Sequence, residues 1–118
     1  MKDPVAANAD REFVTQLDEI IQSNLTNTQL TPLFVAQEFS MCRTLFFSKI
    51  KAVTGMTFSD YVRIYRLKYA IVLLKERKYT MVEISDMVGF SSQSYFAQCF
   101  KKQFNVTPTE FMRHFDES

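Results

Sequence analysis

The amino-acid sequence predicts an all-α fold of seven helices, and three observations carry that expectation. Apolar residues recur at helical spacing through nearly the whole chain, and no segment reads as a credible strand. Only two glycines and three prolines occur in 118 residues, too little turn-forming material for a β-sandwich. The periodic segments are also punctuated by residues suited to cap helices.

The first helix is marked by Phe13, Leu17, Ile20 and Ile21, which fall on one face, and Asn8 or Asp10 is expected to open it. Residues 1–8 are expected to be disordered, or foreign to the native chain. Thr31 followed by Pro32 starts a second, short helix, because threonine caps and a first-turn proline forfeits no hydrogen bond. It ends near Phe39 or Ser40. A third helix runs from about Cys42 to Val53, and Gly55 supplies a left-handed stop. Thr57 with Asp60, Thr80 with Glu83, and Thr107 with Glu110 each set a hydroxyl three residues before a carboxylate, the spacing of a capping box or its shorter Thr–Asp relative. These signals predict helices near 58–75, 80–88, 92–104 and 107–115.

Composition narrows the chemistry. Hydrophobic residues make up 47% and charged residues 23%, a globular balance. Cys42 and Cys99 are far apart, and His114 is the one histidine, so neither a four-donor zinc site nor histidine-based catalysis is expected. The two lone cysteines suit a reducing, cytoplasmic setting. The longest apolar stretch, Ala70–Leu74, is far below the roughly 20 residues a membrane span needs. No membrane contact is expected of this segment.

The formal net charge of +1 conceals a segregation. Through Cys42 two bases, Lys2 and Arg11, face six acids. From Arg43 to Lys102 eleven bases face only Asp60, Glu76, Glu83 and Asp86. The tail is acidic again. A polyanion responds to the local field and not to the total, so this basic middle readmits nucleic acid as a partner. Solvation of helix faces explains the same charges equally well.

The chain also matches itself. At an offset of 50, Phe46 lies over Phe96, Ile50 over Phe100, Lys51 over Lys101, Gly55 over Asn105, Thr57 over Thr107, and Tyr61 over Phe111. Upstream the offset falls to 49: Val35 over Ile84, Ala36 over Ser85, Phe39 over Val88, Ser40 over Gly89. The one-residue change falls in a turn, where an insertion costs least. Each unit is a short helix, a tight turn and a longer helix, with a small residue four positions before the turn residue. That is the outline of a helix-turn-helix. The expected organisation is a first subdomain over 9–57, a connecting helix over 58–75, and a second subdomain over 76–116.

The second unit, from Ile84 to Met112, resembles the signature of AraC/XylS-type transcription regulators in its Gly89-Phe90, Ser94-Tyr95-Phe96, Phe100-Lys101-Lys102 and Thr107-Pro108 segments. Arg66, Leu67, Ala70, Leu73 and Leu74 match that family's connecting helix. The similarity covers about Asp10 to Phe115. The first unit is similar to the variant at the C-terminal end of hybrid two-component sensor proteins. Cys42 stands where the family usually has a serine cap, Asn105 replaces glycine, Ser48 replaces a common arginine, and Leu33 and Phe34 occupy usually polar positions.

The resemblance implies sequence-specific binding of double-stranded DNA as a signal-responsive output domain that activates transcription. RNA polymerase and upstream receiver or sensor domains of the same chain are the further partners implied; no cofactor is. The connecting helix would hold both units on one side of the duplex, with recognition helices in successive major grooves about 34 Å apart. On the second recognition helix Phe96, Phe100 and Phe104 form the inward stripe. Gln93, Ser94, Ala97 and Gln98 are then base-facing candidates, glutamine being able to pair bidentately with adenine. On the first, Phe46, Ile50 and Val53 point inward and leave Arg43, Thr44, Phe47 and Ser48 exposed, with Arg43 suited to guanine and Phe47 to a thymine methyl. Phosphate candidates are Thr31 and Thr80 through helix-start amides, with Lys51, Lys101 and Lys102. Arg66 and Cys99 are expected to be structural, and Lys75, Arg77 and Lys78 to be solvated.

The rival from another class is a helical protein-interaction module using Leu33, Phe34 and Phe47, whose binding would survive high salt. An enzyme is not expected: His114 has no motif-linked nucleophile, and two glycines make no phosphate loop.

Overall fold

The computed structural model describes residues 4–27 and 29–117. Among them are seven helices and no strand: α1 (Pro4–Ser23), α2 (Pro32–Glu38), α3 (Arg43–Thr54), α4 (Phe58–Glu76), α5 (Met81–Met87), α6 (Gln93–Phe104) and α7 (Pro108–Glu117). The chain divides into two compact units, residues 1–62 and 63–118. The division falls inside α4, so that helix contributes to both.

α1 corrects one expectation. It begins at Pro4, not at Asn8 or Asp10, so residues 4–8, expected to be disordered or foreign to the native chain, are helical. Proline is well placed in a first turn, and the alanines that follow are the best helix formers, so the helix extends upstream of its apolar stripe.

The other boundaries follow the caps. Thr31 Oγ1 accepts from the Phe34 amide at 3.2 Å at the head of α2. Thr80 and Glu83 form a reciprocal capping box at α5, and Thr107 and Glu110 exchange the same pair of bonds at α7. The ends of α3 and α6 turn left-handed at Gly55 (φ 75°) and Asn105 (φ 68°), where each amide bonds back to a lysine carbonyl four residues earlier. Asparagine tolerates this conformation best after glycine, which is why the two ends can be equivalent. The interhelical turns are likewise left-handed, at Ser40 (φ 55°) and Gly89 (φ 89°).

In the first unit Phe13, Leu17, Ile21, Leu25, Val35, Ala36, Phe46, Ile50, Phe58 and Val62 are buried. Aromatic contacts run through it: Phe13–Phe39 at 4.8 Å, Phe39–Phe46 at 6.1 Å and edge-on Phe46–Phe58 at 5.7 Å between centroids. The second unit gathers Leu67, Ala70, Leu73, Leu74, Ile84, Val88, Phe90, Phe96 and Phe100 into one cluster. Burying a side chain of this size contributes about 1.5–3 kcal/mol, so each unit has a core of its own. Phe104, placed by the sequence in the same inward stripe, is half-buried and lies 4.7 Å from the Phe100 ring.

Ala36 and Ser85, the small residues before each turn, are both fully buried, which lets α2 approach α3 and α5 approach α6 within their units. Lys75 and Arg77, expected to be solvated, are exposed but not idle. Their cationic groups lie 5.4 and 5.5 Å from the centre of the Phe115 ring, bringing α7 to the end of α4. Both cysteines are free thiols. Among the described residues no helix is long and apolar enough to cross a membrane.

Candidate nucleic-acid interface

α3 and α6 hold equivalent places in the two units. Of the seven described helices they are the two that carry no acidic residue. Each buries one stripe, Phe46 and Ile50 in α3, Phe96 and Phe100 in α6, and turns a polar, basic face outward.

α6 begins well supported: Ser92 Oγ accepts from the Tyr95 amide at 3.0 Å. Gln93, Ser94, Gln98, Lys101 and Lys102 are exposed on it. Ala97 is half-buried and borders a hollow of about 260 Å³ with Gln93, Met81 and Pro108.

α3 begins differently. Cys42 takes the N-cap conformation, but its side chain makes no capping hydrogen bond. Arg43, Thr44, Ser48 and Lys51 are exposed. Phe47 is not fully exposed as expected. It is half-buried, its centroid 6.3 Å from that of Phe46, and the Arg43 guanidinium lies 5.3 Å over its ring. The i,i+4 spacing explains the pairing, since such side chains meet on a helix surface and arginine favours an aromatic face. Arg43 and Phe47 therefore form one stacked unit instead of two independent side chains.

The two helix-start threonines are also more committed than their sequence position implied. The Thr80 amide donates to Glu83 Oε1 at 3.0 Å, and its hydroxyl accepts from the Glu83 amide at 3.1 Å. The first-turn amides of Met81 and Val82 are the donors that helix geometry leaves at this end. The Thr31 amide donates to the Gln29 carbonyl at 2.8 Å, which leaves Leu33 in the corresponding place.

Two exposed side chains on these helices escaped the sequence reading. Leu45 is 54% exposed and Tyr95 48%, and they occupy the same position of the repeat. Periodicity assigns apolar residues to the core, so only the offset of 50 could have flagged them, by pairing both outside the buried stripe. The neighbouring Cys99 side chain raises the Tyr95 phenol above its usual range. Arg66 is half-buried, and burial lowers its pKa. Leu33 is 54% exposed, whereas Phe34 beside it is half-buried.

Two short-helix, tight-turn, long-helix units, each with an acid-free second helix, define a bipartite helix-turn-helix domain. Residues 35–114 match the family described as a helix-turn-helix domain, and the chain belongs to that family in its AraC-type form. It is 36% identical over 111 residues to histidine kinase P4 of Formosa agariphila, covering 94% of this chain and 8% of that protein. It is 30% identical over 103 residues to the transcriptional activator AggR of Escherichia coli, covering 87% of this chain and 38% of the activator. The chain thus spans well under half the length of either relative. Among solved structures, the C-terminal domain of AraT, a response regulator from Geobacillus stearothermophilus, superposes with a TM-score of 0.76 at 28% identity, over 86% of this chain and 84% of that one. The AraC-type domain is one of transcription regulators.

Proposed function

We propose that this chain binds double-stranded DNA sequence-specifically, with α3 and α6 each in a major groove, and regulates transcription as an output domain. The observation that carries this reading is the pairing of two acid-free helices with polar, basic outer faces at equivalent places in two helix-turn-helix units. Arg43, Thr44, Phe47, Ser48, Gln93, Ser94, Ala97 and Gln98 are the base-facing set. Of these, Gln93, Ser94 and Gln98 are exposed on α6, and Arg43 reads together with Phe47. Lys51, Lys101 and Lys102 meet phosphates, joined at the helix starts by Thr31 and Thr80 with the amides that follow them. The functional division runs 9–57, 58–75 and 76–116, with most of α4 as the connector between the two readers.

The likeness to a histidine kinase and to a response-regulator C-terminal domain supports a chain controlled by receiver or sensor domains in a two-component system. Activation through RNA polymerase, in the cytoplasm, is the outcome that AggR's designation as an activator favours. Selecting bound sequences from a random duplex library tests the core of the reading. Two conserved blocks with centres about one helical turn apart are expected. A single short block, or no enrichment, would sink it.

A further inference from the structure

α6 has a second exposed flank, turned toward α4 within the second unit. There Arg63 of α4 and Tyr95, Gln98, Cys99, Lys102 and Gln103 of α6 line an open hollow of about 380 Å³. Two of these six residues are cations and none is an acid. Tyr95, Gln98 and Lys102 follow one another at i, i+3 and i+7, so they share one helix face. Arg63 comes from the other wall, and its charge acts on the Tyr95 hydroxyl. A rigid guanidinium opposite a mobile ammonium, edged by two carboxamides, is the donor set that suits a phosphate oxyanion.

The hollow is open along one side and borders Gln98. A helix lying in a major groove turns one flank toward each DNA backbone, so whatever meets the Arg63 flank is a strand edge and not a base. On the reading that α6 lies in a major groove, we propose that Arg63 and Lys102 together seat one backbone phosphate of the bordering strand. The seat belongs to the second unit alone. Its counterparts of Tyr95, Gln98 and Lys102 in the first unit are Leu45, Ser48 and Ala52, which bring no charge. The second unit therefore carries an anchoring contact that the first lacks, and neither Arg63 nor Tyr95 is marked by any sequence motif for this role.

The test is an anisotropy titration of the chain with a labelled mixed-sequence duplex across a range of salt concentrations. The Arg63→Gln/Lys102→Gln double variant should lose about one unit of the log–log salt slope, with equal weakening on unrelated duplexes. Arg63→Lys and Lys102→Arg should retain the slope, and Arg11→Gln on α1 should leave it unchanged. Circular dichroism checks that the variants are folded. If the double variant does not fold, single methylphosphonate linkages scanned along a selected duplex replace it. One neutral linkage should then weaken the wild type clearly more than Lys102→Gln. A double variant with the wild-type slope, or the absence of such a linkage, overturns the seat while leaving DNA binding intact. A wild-type chain that binds no duplex at all overturns the underlying reading as well.

Discussion

The Tyr61 hydroxyl donates a 2.6 Å hydrogen bond to Asp18 Oδ1, joining the first turns of α4 to the middle of α1 across 43 residues of sequence. Both side chains are partly buried, and the acceptor is a carboxylate, so the bond is of the stronger kind. Tyr61→Phe should lower stability by about 1–2 kcal/mol, read from the urea midpoint at unchanged slope. The double variant with Asp18→Asn should lose less than the sum of the singles. Full additivity would show the pair to be uncoupled.

The unequal starts of α3 and α6 give a second expectation. Ser92 caps α6 with its side chain, whereas Cys42 at the matching place makes no such bond. Cys42→Ser should stabilise the protein by about 0.5–1 kcal/mol and raise its melting temperature. An unchanged or lower value would mean that the first turn of α3 is satisfied in another way.

Ser85 is fully buried, and its Oγ has no hydrogen-bond partner. Its counterpart in the other unit is Ala36, equally buried. Removing an orphaned hydroxyl without opening a large cavity is favourable, so Ser85→Ala should gain about 1 kcal/mol in denaturant unfolding. A loss of stability would point to a bond formed by that hydroxyl in solution.

Glu110 carries a pH signature. Hydrogen bonds from the Thr107 hydroxyl and amide hold its carboxyl below the usual glutamate range. A depressed folded pKa means that the contribution is present above the unfolded value and is lost as pH falls through the folded one. A carboxyl titration followed by NMR should place Glu110 below the usual glutamate range. Thr107→Val should return it toward that range, and no movement would assign the shift to something other than the cap.

At the proposed interface, Gln98→Ala should relax sequence preference, with a loss of about 1–3 kcal/mol on the preferred duplex and little on others. Lys101→Ala should instead weaken all duplexes alike and reduce the salt slope by about one. Equal effects of both variants on selected and random DNA would remove base readout from α6.

Much of this fold was legible because its punctuation is chemical. Thr31-Pro32, Thr80 with Glu83, Thr107 with Glu110, and the Gly55/Asn105 pair mark helix ends by capacities a sequence displays. What stayed hidden depends on distance in space. The Asp18 bond to Tyr61 and the approach of Arg63 to Tyr95 join separate helices, and no spacing rule encodes them. Phe47 was misjudged because a helical wheel places a residue on a face without showing that Arg43 covers its ring. The upstream reach of α1 was missed for the opposite reason: its early turns have high propensity and no apolar stripe to advertise them.

The bare start of α3 has a consequence for how an operator is read. A helix whose first turn lacks a side-chain cap frays more readily, and Arg43 and Thr44 sit in that turn. The first turn of α6, which carries Ser94, is instead closed by Ser92, whose hydroxyl accepts from the Tyr95 amide. On the proposed reading, the domain pairs a looser helix, α3, with a firmer one, α6, and duplexes selected by it should vary in one block and agree in the other.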